Sequence, residues 1–396
     1  MPAVPQGYPS SGRTGSGVGY ALSDEQAMLR DTARRFLEER APMPVVRALM
    51  ETERGFDDAL WGEVSRQGWP AMAIPEDYGG AGFSFLEQAI VMEEMGRALF
   101  PSPYLSSIVL GADLVLAAGT EDQKADILPG VAAGDRRIAV AHVEPAGRWG
   151  PSGIRATARR HGSDLILNGT KSFVIDGHTA HLLLVAVRTD LDATGRDGIS
   201  IVAVPADTPG VGRRLLETID MTRKQAEIVL DDVRVPAGAV LGEPGAGWEH
   251  LEGALRRAVV ALAYEQVGGA QRCLDMAVEY AKNRIQFGRP IGSFQAVKHK
   301  CADMLLRVES ARSAAYHAGR AVAAGSAELP IVAPLVKSYC SEAYFSCAAE
   351  NIQVHGGIGF TWEHDAHLHF RRAKTDELLF GTPAEHRGAL ADRLGI

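Results

Sequence analysis

The hydrophobic pattern of this 396-residue chain changes period twice, and that double switch constrains the fold more than any feature of its composition. Order is expected to begin at Ser23, where Ser23-Asp24-Glu25-Gln26 makes a capping box and Leu29, Ala33, Phe36 and Leu37 follow at helical spacing. Further amphipathic segments near Asp58 to Gln67, Leu86 to Leu99 and Glu121 to Ile127, broken by Pro75, Gly79, Gly80, Gly82 and Pro101, predict helices up to about Arg136. From about Arg137 to Gly245 the runs become short and β-rich: Ile138 to Val143, Leu165 to Leu167, Phe173 to Ile175, Leu182 to Val187 and Ile199 to Val204. Asn168-Gly169 between two of these runs predicts a hairpin, because a type I′ turn needs positive φ at both central positions. From Trp248 onward helical spacing returns in Val267, Ala270, Leu274, Ala277 and Ala281, and again in Val297, Cys301, Met304, Val308, Ala311 and Ala315. A third long helix is expected from Ile331 to about Val354. Short loops at Gly288 to Gly292 and Gly325 to Pro330 then predict an antiparallel bundle.

The expected fold class is therefore α+β, mainly α: a tail over 1–20, an N-terminal helical domain over 21–136, a middle β-barrel-like domain over 137–245 and a C-terminal four-helix bundle over 246–396. The first twenty residues, rich in Gly, Ser and Pro, lack the apolar core of a signal peptide, and the longest apolar run, Leu182 to Val187, is far shorter than a membrane span. A cytoplasmic protein without membrane association is expected. A net charge of -8 disfavours a nucleic-acid surface, although an anionic small ligand can still bind in a local basic pocket. Cys273, Cys301, Cys340 and Cys347 form no CxxC pair and fall in helical pattern, which predicts reduced core cysteines.

Five local motifs carry a resemblance. They are Pro75-Glu76-Asp77-Tyr78-Gly79-Gly80-Ala81-Gly82, Asn168-Gly169-Thr170-Lys171, Asp231-Asp232-Val233-Arg234-Val235-Pro236, Arg284-Ile285-Gln286-Phe287-Gly288-Arg289-Pro290-Ile291 and Gln353-Val354-His355-Gly356-Gly357-Ile358-Gly359-Phe360. In that order, and with that succession of domains, the chain from Ser23 to its end resembles the acyl-CoA dehydrogenase family. Singly, each motif is a common packing device. The Gly356-Gly357-Ile358-Gly359 run is not a dinucleotide fingerprint, because it follows a helix and not a strand.

The resemblance implies FAD shared between two subunits, with the flavin ring against one subunit's β domain and the adenosine-pyrophosphate end reaching a neighbour's bundle. On the adenosine side Arg284 matches the family arginine, whose permanently charged guanidinium suits a pyrophosphate, with Phe287 and Gly288 beside it. Gln353, Gly356 and Gly357 match the segment where a side-chain amide and bare backbone approach the adenosine.

The flavin side departs from the family. Its Thr-Glu-Pro reads Val143-Glu144-Pro145, its Gly-Ser-Asp reads Gly147-Arg148-Trp149, and its Trp-Ile-Thr after the hairpin reads Phe173-Val174-Ile175. Phe173 can still stack on a ring, but Val143, Trp149 and Ile175 supply none of the hydroxyls that tune a flavin. The carboxylate that would remove the α-proton of a thioester is missing too: Leu379-Phe380-Gly381-Thr382 puts Phe380 at the usual glutamate position. Counting back from Arg284 and Gln271 puts Ala258 at the alternative one. Glu252 and Glu265 are each about two turns from Ala258, and Glu265 reads as a buried, paired residue. His355, His364, Asp365, His367 and His369 have ligand-type side chains, yet Trp362-Glu363-His364-Asp365 reads as a helix start, and no metal is expected.

An intact adenosine half beside a degraded flavin half is similar to one subunit of actinobacterial heteromeric acyl-CoA dehydrogenases, which act on CoA thioesters of steroid side chains. The resemblance implies a second acyl-CoA dehydrogenase-like subunit as partner, an acyl-CoA substrate and an electron-transfer acceptor. Two alternatives stand beside it: a homo-oligomeric acyl-CoA dehydrogenase, oxidase or flavin monooxygenase with an unrecognised base, and a flavin-free scaffold.

Overall fold

The computed structural model describes residues 22–396, so the tail expected over 1–20 lies outside the described residues. Helix α1 (Asp24–Arg40) starts on its capping box: Ser23 Oγ accepts from Gln26 N at 3.2 Å and Gln26 Oε1 accepts from Ser23 N at 3.1 Å. It is followed by α2 (Met43–Met50), α3 (Asp58–Arg66), α4 (Phe85–Ala98), a wholly buried π-helical turn over Tyr104–Ala112, α5 (Asp113–Ala118) and α6 (Glu121–Ala132). Helix α4 is buried continuously from Gln88 to Gly96, because it is sandwiched between α1 and the first bundle helix.

The middle section is a curled seven-stranded sheet: β1 (Ile138–Ala141), β2 (Thr157–His161), β3 (Asp164–Ile175), β4 (Leu182–Arg188), β5 (Ile199–Pro205), β6 (Val211–Leu215) and β7 (Gln225–Pro236). The order is β1-β4-β2-β3-β7-β6, with β5 pairing β4. Strand β4 reads as an unbroken apolar run because both faces are covered. Leu183, Val185 and Val187 enter the sheet's own core, while Leu182, Leu184 and Ala186 pack on the helices.

The predicted hairpin at Asn168-Gly169 is not there. Strand β3 runs straight through both residues, and the turn lies at Gly162-Ser163, between His161 and its partner Asp164. What Asn168-Gly169 makes is a bulge, with the β3–β7 register shifting between Leu167 and Gly169. Gly169 takes φ 144, where a Cβ would meet Ala156 Cβ at 2.5 Å. The Asn168 side chain spans to β7, donating to Asp232 Oδ1 at 2.8 Å and accepting from Asp232 N at 3.0 Å.

The last part is a bundle: α7 (Gly247–Asn283), a small hairpin of β8 (Ile285–Gln286) and β9 (Arg289–Pro290), then α8 (Gln295–Ala323) and α9 (Leu329–His355). Helices α10 (Ala366–Leu378) and α11 (Pro383–Leu394) lie against α9. Cys273, Cys340 and Cys347 are buried and Cys301 partly so, all four as thiols, and burial raises each thiol pKa. Among the described residues no helix is long and apolar enough to cross a membrane.

Candidate functional site

The adenosine-side positions gather at one end of the bundle. Helices α7 and α9 end side by side there, with the Tyr280 and His355 rings 4.3 Å apart in their last turns. Arg284 caps α7 through its N–H to the Tyr280 carbonyl at 2.8 Å and leaves its guanidinium exposed. The β8–β9 turn then places Phe287 and Gly288 at φ 53 and 76, and Phe287 is 91% exposed. Across from it, Gln353 is exposed, and Gly356 ends α9 at φ 65. A Cβ on Gly288, Gly356 or Gly357 would meet nothing within 4 Å, so none of these glycines is required by packing inside this chain. An arginine, an amide and bare backbone thus face outward, where a ligand carried by another molecule can reach them.

Of the flavin-side positions Val143 and Ile175 are buried, Trp149 is half-buried and Phe173 is 43% exposed. Trp149 lies with its ring 5.4 Å from His142 and 5.9 Å, edge-on, from Phe380. The space that Trp149, Phe173, Ile175 and Phe380 share with Ser106, Leu110, Val140, His142 and Leu379 is about 10 Å³. That is room for about one water between these side chains. His142 Nε2 is buried beside this space with no hydrogen-bond partner, and burial pushes its pKa down to about 3. Val143 is 2% exposed and offers only its backbone, the carbonyl accepting from Ser172 N at 2.9 Å. Glu144 next to it is structural: it accepts from Arg155 N, Ala156 N and Lys171 Nζ at 2.7–2.8 Å.

Both base positions are apolar and buried. Phe380 sits at φ 61, its carbonyl bonded to His386 Nε2 at 2.9 Å. The loop that carries it is held from beneath by the buried ammonium of Lys337, which donates to the carbonyls of Asp376 and Glu377 at the end of α10. Ala258 is fully buried on α7. Glu265 is 2% exposed and accepts from Arg223 and Arg372 at 2.6–2.7 Å, part of a network that also contains Asp220 and Asp376.

Two carboxylates do border a cavity next to Phe380, a cleft of about 320 Å³ walled by Trp149, Trp248, Leu255, Val259, Ala333 and Pro334. Glu252 is one; it is ion-paired with Arg196 and Arg256, each at 2.7 Å. Glu385 is the other, and no motif pointed to it; its only sequence signal is the Thr382–Glu385 capping box of α11, which the structure forms. The histidines have separate partners: His369 contacts Tyr344 Oη at 3.0 Å, His367 contacts the Trp362 carbonyl at 3.1 Å, and the His355 and His364 rings lie 4.4 Å apart, tilted by 53°. Among the described residues no group of three or more His, Cys, Asp or Glu is placed to hold a metal ion.

Comparison with known proteins accounts for the architecture. Residues 23–135, 139–233 and 245–395 match the models of the N-terminal, middle and C-terminal domains of acyl-CoA dehydrogenases. The chain is 34% identical over 365 residues to acyl-CoA dehydrogenase IpdE2 of Mycolicibacterium smegmatis, covering 92% of this chain and 97% of that one. It superimposes with a TM-score of 0.87 and 28% identity on a glutaryl-CoA dehydrogenase from Mycobacterium smegmatis solved in complex with FADH2, over 94% of this chain and 95% of that one. A chain of the ChsE4-ChsE5 complex from Mycobacterium tuberculosis matches with a TM-score of 0.86 and 28% identity, over 96% and 99%. This chain belongs to the acyl-CoA dehydrogenase family of FAD-dependent oxidoreductases.

Proposed function

We propose that this chain is the partner subunit of a heteromeric acyl-CoA dehydrogenase, acting in the cytoplasm on a CoA thioester. In this reading Arg284, Phe287, Gly288, Gln353, Gly356 and Gly357 complete the adenosine-pyrophosphate side of an FAD whose ring lies in a companion subunit. The companion also supplies the catalytic carboxylate. The observation that supports the reading most is the packing of Trp149 on Phe380: two apolar rings stand where the family resemblance implies a flavin-tuning side chain and a base, and neither can accept a proton. Arg284 fits the role left to this chain, since a guanidinium offers a planar fork of donors to phosphate oxygens at any physiological pH. The likeness to a chain of the ChsE4-ChsE5 complex supports a heteromeric assembly.

The test is expression with and without a companion, a second acyl-CoA dehydrogenase-like chain that has glutamate at one of the two base positions. Alone, this chain should purify without stoichiometric flavin absorbance and without dehydrogenase activity; co-purified with the companion, it should be yellow and active. Arg284→Ala should lower the flavin-to-chain ratio of the complex. A yellow, active homotetramer would overturn the reading in favour of a self-sufficient dehydrogenase or oxidase. That alternative has one observation behind it, the presence of Glu252 and Glu385 beside Phe380, although both carboxylates are already engaged. An unchanged flavin content in Arg284→Ala would favour a flavin-free scaffold role.

A further inference from the structure

A second polar cleft lies on elements that the FAD reading does not use. Arg54 comes from the α2–α3 connection, Arg137 from just before β1, His178 and His181 from the β3–β4 loop, and Arg213 from β6. Together they line a cavity of about 390 Å³, within the size range of small-molecule sites. It continues past Arg54, Arg137 and His181 into a neighbouring space of about 560 Å³. The smaller cavity is lined by three arginines and one carboxylate, Asp207, with Asp58 on the side shared with the larger space, a local excess of cations in a chain of net charge -8.

The cations are held in place, and one of them, Arg54, is already paired with Asp58 at 2.7 Å. Arg54 and Arg137 both stack on Phe56, 5.1 and 5.4 Å from its centroid. Arg137 Nε donates to the Thr179 carbonyl at 3.1 Å, and Arg213 NH1 donates to the carbonyls of His178 and Ala180 at 3.1 and 3.3 Å. One edge of each fork is thereby fixed to the same loop. Arg213 Nε and NH2 have no partner among the described residues, and the Arg137 side chain, only 11% exposed, reaches Asp58 at no better than 3.7 Å.

His181 cannot supply the missing acceptors. Its two ring nitrogens face Arg137 N at 3.1 Å and Arg137 NH2 at 3.0 Å, both of them donors. A neutral imidazole has one acceptor nitrogen, so one of the two N–H groups stays unsatisfied. His178 donates its Nε2–H to the Glu53 carbonyl at 3.0 Å, so the buried, unpartnered Nδ1 of the neutral ring is an acceptor and His178 adds no donor to the cleft. Arg54 and Arg213 are exposed and Arg137 partly so, and an oxyanion with several acceptor oxygens can meet all three guanidiniums with charge-assisted hydrogen bonds.

We propose that this cleft binds the phosphate group of a small molecule, held between Arg137 and Arg213 with Arg54 at its edge. The phosphate can be free or the end of a nucleotide, and the two are separable by titrating inorganic phosphate and adenosine diphosphate into the full chain in a chloride buffer. The Arg284→Ala background excludes any contribution from the bundle end. Saturable binding at one per chain is expected, at least about tenfold weaker in Arg137→Gln and in the exposed-site variant Arg213→Gln, from loss of a charge-assisted pair. Tenfold tighter binding of the diphosphate marks a nucleotide site, and equal affinities mark a site for bare phosphate. No saturable binding of either probe, or binding that a folded Arg213→Gln leaves unchanged, would overturn the proposal. Neither result bears on the partner-subunit reading, whose test runs through Arg284.

Discussion

Glu265 shows how a single residue can be read two ways and settled by its neighbours. From sequence it shares a helical face with the vacant base position at Ala258; in the fold it is sealed between Arg223 and Arg372, and the Arg372 guanidinium, itself 2% exposed, also donates to Asp220 and Thr222. Nothing in α7 alone could reveal those partners, which come from the stretch before β7 and from α10. Removing one member of such a buried set leaves the others uncompensated, so Glu265→Gln should cost about 3–5 kcal/mol of stability, read from the midpoint of urea unfolding. Coupled burial acts on Asp376 in the same network, whose carboxyl is pushed up to about 7 by desolvation and by Glu265. His142 allows a pH prediction with a defined sign. The unfolded chain takes up a proton near the ordinary histidine value of 6.5, whereas the folded chain resists until about 3. Stability is therefore lost as pH falls below 6.5, by about 2 kcal/mol at pH 5 from this group. Asp176, raised to about 6 by burial, works in the opposite direction over part of that range. The informative quantity is thus the difference from His142→Phe, whose unfolding midpoint should fall less steeply between pH 6.5 and 5.

At the scale of elements, periodicity located the long helices α1, α4, α7, α8 and α9 and the apolar strands β1, β4 and β5, because those segments bury a face or two, whereas β2 and β7, whose sequences mix charged and apolar residues, were not among the predicted runs. The Asn168-Gly169 hairpin failed for a non-local reason: the bulge is fixed by Asp232, 64 residues away, and by the closeness of Ala156, neither of which a two-residue turn rule can see. Invisible for the same reason was the tight seam between α4 and α7. A Cβ on Gly96 would lie 2.1 Å from the Glu265 carbonyl oxygen, and one on Gly268 would lie 1.8 Å from the Glu93 carbonyl oxygen. Both are backbone atoms that cannot swing aside, so the helices meet there only because the side chains are absent. Gly268→Ala should separate the helices at a cost near the upper end of overpacking penalties, about 3 kcal/mol, where the gain in helix propensity would by itself favour alanine by about 1 kcal/mol. A thermal midpoint that rises in Gly268→Ala would show that the seam is looser than this.

For the whole molecule, the family resemblance reached the fold, and it named side chains that differ from the family's, but not that two of them, Trp149 and Phe380, pack edge-on against each other. That matters for assembly, because the remaining ligand-facing residues stand on a surface that a lone chain leaves uncovered. Around the bundle end Ile285, Phe287, Ile358 and Phe360 are 50–91% exposed, and they flank Arg284, Gln353 and Gly356 on the same two segments. A patch of this kind is characteristic of an interaction surface, and here its apolar members are interleaved with the residues assigned to the cofactor. Contact with the companion and flavin retention should then be lost together. Phe287→Asp places a charge where the assembled complex would bury an aromatic ring, while leaving the chain's own core untouched, since this side chain is 91% exposed and lies edge-on to Phe294 with the rings 6.0 Å apart. In the co-expressed complex this variant should reduce both the mass in solution and the flavin bound per companion chain, without shifting the unfolding midpoint of this subunit by more than about 0.5 kcal/mol, as for ordinary surface changes. If flavin is lost while the mass holds, the hairpin touches cofactor only; if the mass falls while flavin stays on the companion, that subunit completes its site without this one and the shared-cofactor reading fails.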